Sequence, residues 1–165
     1  MAETLVIETA DLRKDYGGVE AVRGPNLQVP TGSIFALLGR NGAGKTSTLK
    51  ILLGMCRPTS GRARVFGLPA DSAPASVAIR RRTGFVSEEK DLYDVMTVDQ
   101  IIRFTASFYP RWSHDLERRY LRSFELPRSR KVEDLSRGMR TKLALLLAFS
   151  RGAELLVLDE PTSGL

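Results

Sequence analysis

The segment Gly39-Arg40-Asn41-Gly42-Ala43-Gly44-Lys45-Thr46, directly after the apolar run Ile34 to Leu38, constrains this chain more than any other. The spacing G-x-x-x-x-G-K-[ST] predicts a buried strand over Ile34 to Leu38, a loop, and a helix from Gly44 to about Leu53. Glycines let backbone N–H groups curl around a β-phosphate where a Cβ would clash. Lys45 supplies a point charge for the β- and γ-phosphates and Thr46 a hydroxyl for Mg²⁺, while the helix turns its positive end toward the anion. The pattern implies a nucleotide, with Gly39, Asn41, Gly42, Ala43, Gly44, Lys45, Thr46 and Ser47 as the binding residues.

Leu155-Leu156-Val157-Leu158 is a continuous apolar run of strand length, the pattern of a strand buried on both faces, and it ends in Asp159-Glu160. Carboxylates at the carboxyl end of such a strand stand where ligands bind in open α/β sheets. Any Asp-Glu pair can also be a solvated strand end. Beside a phosphate loop, Asp159 suits a Walker-B role on Mg²⁺, and Glu160 suits the orientation and deprotonation of an attacking water.

With 165 residues and 42% hydrophobic content, the chain can bury a substantial core. Its start has neither the basic segment nor the apolar block of a signal peptide, no apolar stretch approaches membrane-span length, and the one cysteine, Cys56, has no internal partner. These features set the expectation of a cytoplasmic protein. The net charge of +6 is clustered, at Arg80-Arg81-Arg82, at Arg118-Arg119 with Arg122, at Arg128 with Arg130-Lys131, and at Arg137 with Arg140 and Lys142. A nucleotide site and an anionic membrane surface both draw on positive potential. No aromatic-interleaved basic stretch or DNA-binding motif accompanies the charge, so nucleic acid is disfavoured as a partner.

The character of the chain changes along its length. Strand-like runs occur at Leu5-Val6-Ile7, Val19 to Val29 and Arg62 to Phe66, followed by a short helix at Ala75 to Arg81 and a strand at Gly84-Phe85-Val86. Helices follow: Thr97 caps Val98 to Phe108, Ser113 caps Asp115 to Phe124, and Ser136 caps an apolar segment to Phe149. Phe104 with Phe108, and Tyr120 with Phe124, stand at i, i+4 and are expected to make core contacts.

Taken in order, the phosphate loop, the helical insertion, Leu135-Ser136-Arg137-Gly138-Met139 and the run Leu155 to Leu165 resemble the ATP-binding subunit of an ATP-binding cassette (ABC) transporter. The resemblance covers nearly the whole chain. It implies an α/β fold: a P-loop NTPase (RecA-like) core with an N-terminal antiparallel β part and an inserted α-helical subdomain. The expected division is residues 1–88 for the β part and core, 89–150 for the helical subdomain, and 151–165 for the Walker-B strand returning to the core. It further implies that Ser136 and Gly138 begin a helix facing the γ-phosphate held by a second subunit in a head-to-tail dimer. The plain account of Ser136, a helix N-cap, uses the same helix end.

The resemblance also assigns Tyr16 to adenine stacking, with Val22 as an apolar neighbour, although Tyr16 alone reads as an ordinary strand aromatic. Gly84-Phe85-Val86-Ser87-Glu88 matches the loop that usually presents Gln to Mg²⁺; here Glu88 takes that position, and its charge alters metal affinity and coupling. Arg137 and Met139 depart from the usual signature element but leave the Ser136 and Gly138 pair intact. His114, the only histidine, precedes the signature and receives no role.

After Glu160 the sequence gives Pro161-Thr162-Ser163-Gly164-Leu165, where family members continue with an inter-subunit aspartate and a switch histidine. In the family's parallel sheet the next strand usually lies between the Walker-B and phosphate-loop strands. The expectation is an incomplete chain whose central gap costs an amount comparable with the about 5–15 kcal/mol that holds a domain together. The implied function is an ATP-binding, ATP-hydrolysing subunit that drives separate membrane permease subunits, with ATP and Mg²⁺ as ligands. A relative acting on nucleic acid or ribosomes, and a non-catalytic nucleotide-binding fragment, stay open as alternatives.

Overall fold

A computed structural model describes residues 4–161. The last part of the segment expected to return to the core, residues 162–165, lies outside the described residues. The chain forms two compact units, Met1–Arg81 and Arg82–Leu165.

The first unit is built on an antiparallel sheet of strands β1 (Leu5–Tyr16), β2 (Val19–Arg23), β3 (Gln28–Pro30), β4 (Ser60–Val65) and β5 (Leu68–Pro69). Its order is β2-β1-β4-β5, with β3 also pairing with β1. The long β1 thus serves three neighbours: its start pairs with β3, its end with β2, and its length with β4. The β1–β2 hairpin closes through Gly17 and Gly18, at φ of 64° and 96°, the left-handed conformation that a tight hairpin turn demands. The Asp15 carboxylate accepts the Gly18 N–H at 2.8 Å and fixes that turn. The single run expected over Val19 to Val29 is broken between β2 and β3, because Gly24-Pro25 interrupts it.

Helix α1 (Lys45–Leu52) buries Thr48, Ile51 and Leu52. With Leu12, Val22, Val29, Ala63, Val65 and Ile79 they make the apolar interior of this unit. Helix α2 (Ala73–Arg82) contributes Ile79, and Arg80 donates to the carbonyls of Leu53 and Gly54, closing off the end of α1.

The expected strand at Ile34 to Leu38 does not form. Residues 33–40 carry no strand hydrogen bonding, and Ile34, Phe35 and Leu38 are exposed. Their apolar pattern is that of a buried strand, but a strand exists only through its ladder, and no described strand pairs with this segment.

In the second unit β6 (Thr83–Val86) pairs in parallel with β7 (Leu155–Leu158), Thr83 opposite Leu155 and Val86 opposite Leu158. Among the described residues β7 has no other partner, so its expected burial on both faces is replaced by alternation: Val157 is buried while Leu156 and Leu158 are exposed. The two strands are clamped where they begin. Glu154 N–H donates to the Arg82 carbonyl at 2.8 Å, and the Glu154 carboxylate bridges Arg82 at 2.7 Å and Arg111 at 2.8 Å.

Helices α3 (Val98–Ala106), α4 (His114–Ser123) and α5 (Arg137–Ser150) follow the expected caps. Thr97 and Gln100 form a reciprocal capping box, Ser113 accepts from Leu116 N–H, and Ser136 accepts from Met139 N–H. A single apolar cluster, including Val98, Ile102, Leu121, Val132, Leu143 and Leu146, joins them. Tyr120 stacks on Phe124 at 5.2 Å, as the spacing of the two predicts, and also meets Phe149 at 5.1 Å. Phe104 and Phe108 do touch, edge to face at 5.1 Å, but both are exposed and Tyr93 extends the row outward. Their expected place in the core is corrected: α3 turns Val98, Ile101 and Ile102 inward, while Phe104 flanks that stripe and Phe108 lies past the end of the helix. No helix among the described residues is long and apolar enough to cross a membrane.

Candidate functional site

The phosphate loop leads directly into α1. Gly42 and Gly44 stand at φ of 83° and 82°, and Gly44 is the residue from which α1 starts. A Cβ on Gly44 would come within 2.0 Å of the Ala21 carbonyl oxygen and 3.4 Å of Val22 Cγ2. Strand β2 therefore forms a wall behind the loop, and only glycine fits between that wall and the helix start. Asn41, Gly42 and Ala43 lie exposed on the loop, and Ala43 N–H turns back to the Arg40 carbonyl at 3.0 Å. Lys45 Nζ donates to the Gly39 carbonyl at 2.8 Å and to the Arg40 carbonyl at 3.4 Å, so its ammonium sits over the loop. Thr46 and Ser47 occupy the first turn of α1, where N–H groups have no intrahelical acceptor and favour an anion.

Tyr16 ends β1 and is 49% exposed. Its hydroxyl lies 3.8 Å from Cys56 Sγ and also meets the Ser47 side chain, which ties β1 to the first turn of α1 and to the loop that follows the helix. Partial burial, followed by the Cys56 contact, raises its hydroxyl pKa, with Ser47 opposing. Lys14 Nζ lies over the ring, 4.9 Å from its centroid, a cation–π contact with the electron-rich face. Val22, by contrast, is 2% exposed and packs beneath Gly44. It supports the loop from behind and presents no free surface to a base.

In the second unit, Asp159 follows β7 and is 4% exposed, and its N–H donates to the Val86 carbonyl at 2.9 Å, extending the β6–β7 ladder by one residue. Glu160 is exposed and stands at φ 46°, a left-handed conformation that costs a non-glycine residue energy. The adjoining carboxylates thus face different surroundings, one held in the structure and one open to water. Glu88 follows β6 in sequence and is exposed. With Glu89, Lys90, Arg137 and Arg140 it lines a shallow cavity of about 290 Å³. Ser136 is exposed at the start of α5, with its Oγ 3.2 Å from Met139 N, and Gly138 lies in the first turn. The sequence carries no signal for Lys90: within Glu88-Glu89-Lys90-Asp91 a lysine reads as part of a solvated charged run, yet it is 6% exposed. His114 is exposed at the start of α4, with Nδ1 3.0 Å from a Glu117 carboxylate oxygen.

A glycine loop feeding a helix start, and a parallel strand ending in a held aspartate, define a P-loop NTPase. A solved ATP-binding subunit of an ABC transporter superposes with a TM-score of 0.84 at 30% identity, over 98% of this chain and 68% of that one. The family model described as ABC transporter matches residues 22–163, and the chain belongs to that family.

Among curated relatives, the Nod factor export ATP-binding protein I of Cupriavidus pinatubonensis is 37% identical over 99% of this chain and 51% of its own length. The bacitracin transport ATP-binding protein BcrA of Bacillus licheniformis is 36% identical over 97% and 52%. The chain thus spans about half the length of these relatives. The cbiO1 protein of Clostridium perfringens, described as part of the cbiONQ transporter complex, superposes with a TM-score of 0.77 at 25% identity, covering 99% of this chain and 68% of its own.

Proposed function

We propose that this chain carries the nucleotide machinery of an ABC transport ATPase, a subunit that binds and hydrolyses ATP to drive separate membrane permease subunits. The observation that carries the reading is the phosphate loop, in which Gly44 is forced against β2, Lys45 sits over the loop and the first turn of α1 is open to an anion. In this reading residues 1–88 hold the β part and the core, 89–150 the helical subdomain, and 151–165 the returning Walker-B strand.

The loop N–H groups and Lys45 bind the phosphates, and Tyr16 offers its ring to adenine. Thr46, Asp159 and Glu88 are hard oxygen donors, the ligand chemistry that Mg²⁺ selects, and they are the residues that would hold it. When bound, the ion neutralises charge on the β- and γ-phosphates. The exposed Glu160 carboxylate takes the proton of the attacking water, while Asp159, held by the β6–β7 ladder, stays fixed. Ser136 and Gly138, at the open start of α5, serve the γ-phosphate of the opposite subunit in a head-to-tail dimer.

The exposed row Tyr93, Phe104 and Phe108 supports attachment of the helical part to a permease subunit, since aromatic side chains gathered on a surface mark interfaces. The subunit then works at the cytoplasmic face of the cell membrane, as a peripheral component. Glu160→Gln tests the assignment in the assembled ATPase. It is expected to keep ATP affinity, to lower turnover by about a hundredfold or more, and to accumulate an ATP-loaded dimer visible by size-exclusion chromatography. Turnover at the unsubstituted rate removes Glu160 from the base role.

A further inference from the structure

We propose that Lys90 is a positioning residue for Glu160, acting through the main chain; the inference rests on the reading of Glu160 as the water-activating base. Lysine is among the residues least often found inside a protein, because an ammonium removed from water needs polar partners. Lys90 is nonetheless 6% exposed, and its Nζ donates to the main-chain carbonyl of Glu160 at 3.4 Å.

Both ends of this contact are conformationally costly. Lys90 stands at φ 49° and Glu160 at φ 46°, left-handed conformations for side-chain-bearing residues. Such backbone persists where surrounding bonds over-determine it. Here the segment that begins with β6 supplies two successive anchors. Val86 accepts the Asp159 N–H at 2.9 Å, and Lys90 holds the carbonyl of the next residue. With N–H and carbonyl fixed on either side, the direction in which the Glu160 side chain leaves the backbone is set, while its carboxylate stays exposed for water. The Lys90 ammonium is turned to the strained residue, donating to its carbonyl.

The test is steady-state ATP hydrolysis by the assembled ATPase with Lys90→Met, Lys90→Arg, Glu160→Gln and the Lys90→Met/Glu160→Gln pair. Lys90→Met is expected to lower kcat by about tenfold to a hundredfold with KM for ATP within about twofold, because the base is misaimed and the phosphates are bound as before. Lys90→Arg, which keeps a charged donor, should recover most of kcat, and the double variant should be no slower than Glu160→Gln alone. Lys90→Gln, polar but shorter and neutral, carries the same test where the Met variant does not fold.

Unchanged kcat in Lys90→Met beside an inactive Glu160→Gln overturns the positioning role and leaves the base assignment standing. A further multiplicative loss in the double variant also overturns it. Full activity in Glu160→Gln removes the base assignment, and this inference falls with it.

Discussion

Gly44 and Gly42 share nearly the same left-handed backbone, at φ of 82° and 83°, but their surroundings differ. A Cβ at Gly42 meets nothing within 4 Å, whereas one at Gly44 would lie 2.0 Å from the Ala21 carbonyl oxygen. Gly42→Ala is therefore expected to cost only the backbone term, about 1–2 kcal/mol. Gly44→Ala adds displacement of β2 from the helix start, for a total of about 3 kcal/mol or more, and should abolish nucleotide binding. Chemical denaturation of the two variants checks this order; equal losses contradict the wall formed by β2. At this scale the sequence was informative wherever spacing dictates local geometry, as in the phosphate loop, the Ser136 cap and the Thr97 cap. It said least about Lys90, whose burial depends on where the loop after β6 runs, and about Val22, whose side chain is claimed by the loop it supports.

Among the elements, the start of the β6–β7 pair depends on Glu154. Hydrogen bonds from Arg82, then from Arg111, hold its carboxyl down at about 2, against an ordinary 4.5. A folded-state pKa below the unfolded one means that the stabilisation is fully present above the unfolded value. It is lost as pH falls from about 4.5 toward about 2. Glu154→Gln is expected to lower the melting temperature at neutral pH, with the difference from the unsubstituted protein closing across that acid window. A constant difference down to the acid end contradicts the ion-pair account. Because Glu154 is partly exposed, added salt should narrow the effect.

Helices were legible because caps and 3.6-residue periodicity are local: α3, α4 and α5 follow the expected caps Thr97, Ser113 and Ser136, with α4 starting one residue earlier than expected, at His114. The segment Ile34 to Leu38 was not, since its strand pattern has no partner among the described strands and a ladder is a property of pairs. The contact between Phe104 and Phe108 followed from helical spacing, but its exposure depends on which face of α3 the neighbouring helices cover.

At the scale of the molecule, the residues proposed for the nucleotide chemistry fall in both compact units: the phosphate loop and Tyr16 in the first, Asp159, Glu160 and the Ser136 helix start in the second. Family membership agrees with the fold class read from the ordered motifs. The central claim, that this machinery is a nucleotide site, is tested most directly by calorimetric titration of Mg·ATP into the protein and into its Lys45→Ala variant. The account predicts saturable binding that drops by about a hundredfold or more when the ammonium is removed, the cost expected for a lost charge-assisted phosphate contact. Equal affinity in the two proteins would contradict it.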